Sequence, residues 1–193
     1  MAAESTKRQV VCFAKGGPQN TEACLDALDA ALPEGFKDIV VASTHGVTAL
    51  AAGKRFSGRG LNIVAVTHSC GFKNPNELEL NPETLGQLRE LGVSVFTGTI
   101  LTHSIETCFA SEFGGTYPTI IIAQSLRRLG QGTKVACEIV MEACDAGLIG
   151  ENREVIAIGG TGRGADTVCI VKSAASKRFL SLKVLEYLAK PRE

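Results

Sequence analysis

Six short runs rich in β-branched and other apolar residues recur along this chain, separated by stretches with helical periodicity. That alternation constrains the fold more than any other feature, because it is the pattern of an α/β protein with a mostly parallel sheet. The runs are 9–14 (QVVCFA), 38–43 (DIVVAS), 62–67 (NIVAVT), 93–97 (VSVFT), 154–159 (EVIAIG) and 167–172 (TVCIVK). Most lack apolar/polar alternation, so they suit a sheet covered by helices on both faces. Between them, Leu25, Leu28 and Leu32 mark the buried stripe of a helix that begins near Thr21 and is stopped by Pro33 and Gly35. Asn81 followed by Pro82 is an N-cap with proline at the first helical position, opening a helix that ends before Gly92. Residues 118–129 and 133–147 form two consecutive helices broken at 130–132, the second with Val135, Ile139 and Ala143 on its core face. Only residues 160–166 separate the last two runs, too few for a parallel crossover, so the final strand is expected antiparallel to its neighbour. No linker, charge run or repeat interrupts the chain, which favours a single domain over 1–193.

Composition narrows the function classes. Twenty basic residues balance twenty acidic ones, so no global field attracts nucleic acid or an anionic membrane, and no basic run exceeds a pair such as Arg127 and Arg128. The longest apolar runs, such as 39–42 and 120–123, are far shorter than a membrane helix requires. Charge comes early at the start of the chain and no apolar stretch follows it, so no signal peptide is expected. Seven scattered cysteines, none in a C-x-x-C, fit reduced thiols and a cytoplasmic location.

Two loops carry the chemical signal. In 39–56 a strand gives way to a turn of small and hydroxyl residues and then to a helix starting near Gly46 or Val47. Unpaired backbone N–H groups and the positive end of the helix dipole make such a start an anion site, to which Ser43, Thr44 and Thr48 add hydroxyl donors. A phosphate monoester is the natural guest; the competing reading is that Thr44 caps the helix. The second loop, 159–166, packs four glycines around Thr161 and Arg163. Glycine permits close backbone approach to a ligand, and arginine holds phosphate bidentately. It is neither a G-x-G-x-x-G fingerprint opening a helix nor a P-loop, and a plain glycine-rich hairpin with Arg163 paired to Asp166 is the alternative.

The stretches IVVASTHGVTA (39–49) and EVIAIGGTGRGADTVCIV (154–171) resemble the C-terminal domain of pyruvate kinase, where the first loop receives an effector sugar phosphate. Nearly the whole chain, 9–192, is similar to the small stand-alone proteins of the pyruvate kinase C-terminal-like superfamily. NTEACLDAL (20–28), GTGRGADT (160–167), the 130–149 run and the ending LKVLEYLAKPR (182–192) carry that similarity. The resemblance implies a three-layer α/β/α sandwich with a core strand order 3-2-1-4-5, counted from the 38–43 strand, with the last strand antiparallel. The 9–14 strand is additional and its partner is left open. The first and fourth strands are then neighbours, with their following helices on opposite faces, and the two loops meet at the switch point where open α/β sheets bind ligands.

The resemblance also implies bound flavin mononucleotide. Its phosphate would lie on Ser43, Thr44, Gly46, Val47 and Thr48, with Gly160, Thr161, Arg163 and Gly164 closing the site, and with Thr67, His68, Cys70, Gly98 and Thr99 bordering the ring. His45, His68 and His103 all follow strands, at the same sheet edge. An imidazole there could move a proton or touch the ligand, whereas their spacing does not match a metal site, and none is expected. Cys70 is either a nucleophile activated by a neighbour or an incidental thiol. The expected partner is one phosphorylated small molecule, and a homo-oligomer is compatible with the reading. The chain is then a flavin-dependent oxidoreductase or a regulatory module for a sugar phosphate or nucleotide, and no catalytic residue is assigned.

Overall fold

A computed structural model describes residues 7–192. Seven strands form one sheet: β1 (Val11–Phe13), β2 (Asp38–Ala42), β3 (Asn62–Thr67), β4 (Ser94–Thr97), β5 (Glu154–Gly159), β6 (Thr167–Lys172) and β7 (Lys183–Pro191). Their order is β1-β7-β6-β5-β2-β3-β4. β2 pairs in parallel with both β3 and β5, β3 with β4, and β6 runs antiparallel to β5 and to β7. Counted from β2, the core order is 3-2-1-4-5, as expected.

The continuous apolar strands are explained by burial on both faces. Ile39, Val41, Ile63, Ala65, Ile156, Ile158, Val168 and Ile170 point to one side, where α1 (Thr21–Ala31), α2 (Val47–Phe56) and α3 (Pro82–Glu90) cover them. Val40, Val64, Val66, Val155, Ala157, Cys169 and Val171 point to the other, beneath α6 (Gln131–Asp145). Adjacent residues therefore face different layers, and each must be apolar. α4 (Ile105–Phe113) and α5 (Pro118–Arg127) lie between β4 and α6 in the chain. The helix signals in the sequence act as read: Asn81 accepts the Thr84 N–H at 2.8 Å, and Gly35 closes the end of the first helical segment at φ 99°.

Three points differ from, or complete, the sequence reading. β7 carries no strand signature, since its Lys, Leu, Glu and Ala are helix formers; pairing with β6 on one side and β1 on the other overrides that preference. The additional N-terminal strand is thereby placed: β1 runs parallel to β7, with Cys12 opposite Lys190, at the sheet's edge. The strands flanking the switch point do not both lead into helices. β2 leads into α2, but β5 turns straight into β6, and the opposite face is covered by α6, which precedes β5 in the chain. Among the described residues, no helix is long and apolar enough to cross a membrane.

Candidate phosphate site at the sheet switch point

Val41 pairs with Ile158, so the loops after β2 and β5 leave the same edge of adjacent strands. The first is pinned at its root, where the Ser43 N–H donates to Val66 O at 2.9 Å. The chain then reverses at Gly46, whose φ of 86° lies in the left-handed region and whose N–H donates to Ser43 O. Glycine is required there twice over. A Cβ would stand 2.2 Å from Thr84 Cγ2 and 2.8 Å from Leu80 Cδ1, in addition to the strain of that backbone conformation.

The start of α2 is capped by Ser43 and not by Thr44: Ser43 Oγ accepts the Ala49 N–H at 3.1 Å. Leu50 N–H reaches Gly46 O at 2.8 Å, which leaves Val47 and Thr48 as the first-turn amides with no protein acceptor among the described residues. Thr48 is buried and Val47 exposed. Thr44 Oγ1 instead meets His68 Nε2 at 3.2 Å, and His68 Nδ1 meets Glu79 Oε2 at 2.7 Å. A carboxylate only accepts, so Glu79 fixes a proton on Nδ1 and turns Nε2 toward the Thr44 hydroxyl. Glu79 also engages His45, whose Nδ1 lies 3.1 Å from the Glu79 backbone oxygen. Phe72 stacks obliquely on His68 with ring centres 4.3 Å apart, and His103 lies beyond it at 6.1 Å from the Phe72 ring. Among the described residues, no cluster of three His, Cys, Asp or Glu side chains is arranged to hold a metal ion.

Thr67 and its neighbours sit farther along the edge. Thr67 Oγ1 is 2.7 Å from Thr97 Oγ1, so this buried hydroxyl ties the ends of β3 and β4 together. Gly98 follows, packed so closely on the Phe96 ring that a Cβ would come within 2.3 Å of it; Thr99 is exposed. Cys70 is exposed, and no side chain among the described residues lies within hydrogen-bonding distance of its thiol.

The glycine loop is organised by Asp166, which is fully buried. Its Oδ2 accepts the N–H groups of Gly17 and Thr161, each at 2.9 Å, and its Oδ1 accepts the Thr167 hydroxyl at 2.8 Å. With Asp166 so engaged, the Arg163 to Asp166 pair does not form, and Arg163 is exposed with no carboxylate in ion-pair distance among the described residues. Gly164, at φ 69°, packs against Pro18, where a Cβ would stand 2.5 Å from Pro18 Cα, and Ala165 N–H donates to Thr21 Oγ1 at 3.0 Å. Gly160 is closed in by the Gly164 carbonyl, and Thr161 is exposed. The segment from Gly16 to Thr21 is thus a third wall that the sequence reading did not include. A cavity of about 500 Å³ between α1 and α2 touches the site at Val47.

A buried polar ladder lies on the α6 side of the same edge. Lys134, Glu138 and Glu142 recur every fourth residue of α6, and all three are buried. Glu138 pairs with Lys134 and accepts the Thr102 N–H and hydroxyl at 2.9 and 2.7 Å. Glu142 accepts the Leu101 N–H at 3.3 Å. Burial, and then the charge of Glu138, pushes the Glu142 carboxyl up to about 8. Burial and then the Lys134 charge lower the pKa of His103.

The sequence model of the pyruvate kinase alpha/beta domain matches residues 22–171. A crystal structure of a pyruvate kinase from Cryptosporidium parvum is similar at 18% identity and a TM-score of 0.41, over 80% of this chain. The chain spans 23% of that enzyme's length. With the family's sequence pattern covering most of it, from α1 through β6, the chain belongs to the pyruvate kinase alpha/beta domain family.

Proposed function

We propose that the loop 43–48 binds the phosphate of flavin mononucleotide at the switch point between β2 and β5. The carrying observation is the pair of first-turn amides, Val47 and Thr48, that have no acceptor among the described residues, following a left-handed turn that Gly46 makes possible. A dianionic phosphate accepts several such hydrogen bonds at once, and the end of α2 adds the dipole's positive field. Thr44 offers a hydroxyl steered by His68 and Glu79, and Arg163 has no competing carboxylate among the described residues, so its guanidinium is available for a charge-assisted contact.

The flavin assignment rests on the likeness to the stand-alone members of the family, and the residues present fit it. The donors above suit the phosphate, and the His68 and Phe72 rings, 4.3 Å apart and tilted by 50°, put aromatic groups beside them. A bound flavin would supply one- or two-electron redox chemistry. This chain's own residues would hold the phosphate and fix the Thr44 hydroxyl, and no catalytic residue or reaction is assigned. The same donors suit a sugar phosphate or nucleotide in a regulatory module, because they recognise only the phosphate.

Native purification separates the two. The proposal expects a yellow protein whose ligand, released by denaturation, has the mass of flavin mononucleotide. Release of a colourless sugar phosphate or nucleotide keeps the loop and discards the flavin.

A further inference from the structure

Folding assembles a basic cluster that the sequence keeps apart. Arg127 and Arg128, at the end of α5, meet Lys190 and Arg192, at the end of β7, around a cavity of about 260 Å³. Elsewhere Arg8, Arg55, Arg59, Arg153 and Arg178 each reach a carboxylate. Among the described residues, no carboxylate lies within ion-pair distance of any of these four cations. Two are held in place by neutral groups: Lys190 Nζ donates to Leu129 O at 3.0 Å and sits 4.9 Å from the Tyr187 ring centre, and Arg127 Nε donates to Gln131 Oε1 at 2.7 Å. Neither contact neutralises charge, so the cluster repels itself until an anion arrives.

We propose that this cavity is a second anion site, distinct from the loop 43–48, that takes a diphosphate group. Three features select that chemistry. Guanidinium forks match phosphate oxygens in pairs, while Lys190 acts as a point charge. The cationic charge exceeds what one phosphate neutralises, and approaches that of pyrophosphate. The volume is below the roughly 300–1,000 Å³ of pockets that enclose drug-sized molecules, which suits a compact anionic group. Arg127, Arg128 and Lys190 carry the inference, with Arg192 adding to it. β7 runs in the same direction as β2, so the cavity opens at the same sheet edge, three strands and about 14 Å away from the first loop.

Isothermal titration of inorganic pyrophosphate into the full chain at low salt tests this. Saturable binding is expected at this cavity, beside any occupancy of the loop 43–48, at least about tenfold tighter than orthophosphate and weakened by added salt. Arg128→Ala should weaken it about tenfold, and so should Lys190→Gln, which keeps a donor for the Leu129 carbonyl while removing the charge. Thr48→Ala should leave it unchanged. Adenosine diphosphate, titrated into the wild type and into Arg128→Ala, serves as a second arm: binding that Arg128→Ala weakens identifies a nucleotide's diphosphate, and binding that it leaves unchanged identifies the free anion as the occupant of this cavity. The proposal is overturned if pyrophosphate gives no saturable binding at millimolar concentration, if both charge variants bind like the wild type, or if Thr48→Ala is the change that abolishes binding.

Discussion

Replacing Glu142 with glutamine tests whether the buried ladder on α6 holds a proton that the unfolded chain releases. The carboxyl is raised from its ordinary value of 4.5 to about 8 by burial and by Glu138. Below about pH 4 both the folded and unfolded chains bind this proton, and above about pH 9 neither does. Between those limits the folded protein holds more protons, so the contribution to stability is complete at low pH and is lost as pH rises through the folded value. Linkage sets the slope at about 1.4 kcal/mol per pH unit between the two values and the full effect on the order of 3 to 5 kcal/mol. Glutamine keeps an acceptor for the Leu101 N–H and never ionises. Urea denaturation from pH 5 to 8.5 should therefore show Glu142→Gln close to the wild type at pH 5 and progressively more stable than it toward pH 8.5. Titrations common to both proteins cancel in the difference. Parallel curves, or a variant that loses stability relative to wild type as pH rises, would refute the reasoning.

Gly46→Val combines a left-handed backbone with a Cβ driven into Thr84 and should cost about 3 kcal/mol, measured by urea denaturation. Asp166→Asn turns an N–H donor toward groups that themselves donate; a loss of about 2 to 4 kcal/mol in stability, together with loosening of the loop 160–164 seen by amide exchange, is expected. Thr48→Ala and Arg163→Ala should each weaken a phosphorylated ligand by roughly 1 to 3 kcal/mol in a titration, the second with reduced salt sensitivity. Their double mutant should be non-additive, since both contact one anion; strict additivity, with normal affinity for Arg163→Ala, would take the glycine loop out of the site.

What the sequence made legible is what local physics decides. Continuous apolar runs implied a sheet buried on both faces, Asn81 with Pro82 a helix start, and a seven-residue link an antiparallel return. The strand order came from likeness to a family, and β7 escaped because pairing with its neighbours outweighs its own helix preference. At the site, Ser43, Gly46 and the start of α2 follow from their short spacing along the chain. Glu79 and Phe72 do not, because they come back to His68 through a loop whose path is set by tertiary contacts such as Gly71 N–H to Glu77 O. The partners that Asp166 takes in place of Arg163, the alternative reading of this loop, are hidden for a related reason: the N–H groups it accepts include that of Gly17, 149 residues away. The α6 ladder is invisible by periodicity alone, since charged residues four apart normally mark a solvated face.

If the loop 43–48 recognises a phosphate, two flavins that differ in that group must bind with different affinity. Titrating the ligand-free protein with flavin mononucleotide and with riboflavin, followed by quenching of flavin fluorescence, tests it most directly, since the two ligands differ only in that group. Flavin mononucleotide is expected to bind at least about a hundredfold tighter, through charge-assisted contacts that riboflavin cannot make, and Thr48→Ala to remove much of the difference. Equal affinity for the two flavins would contradict it.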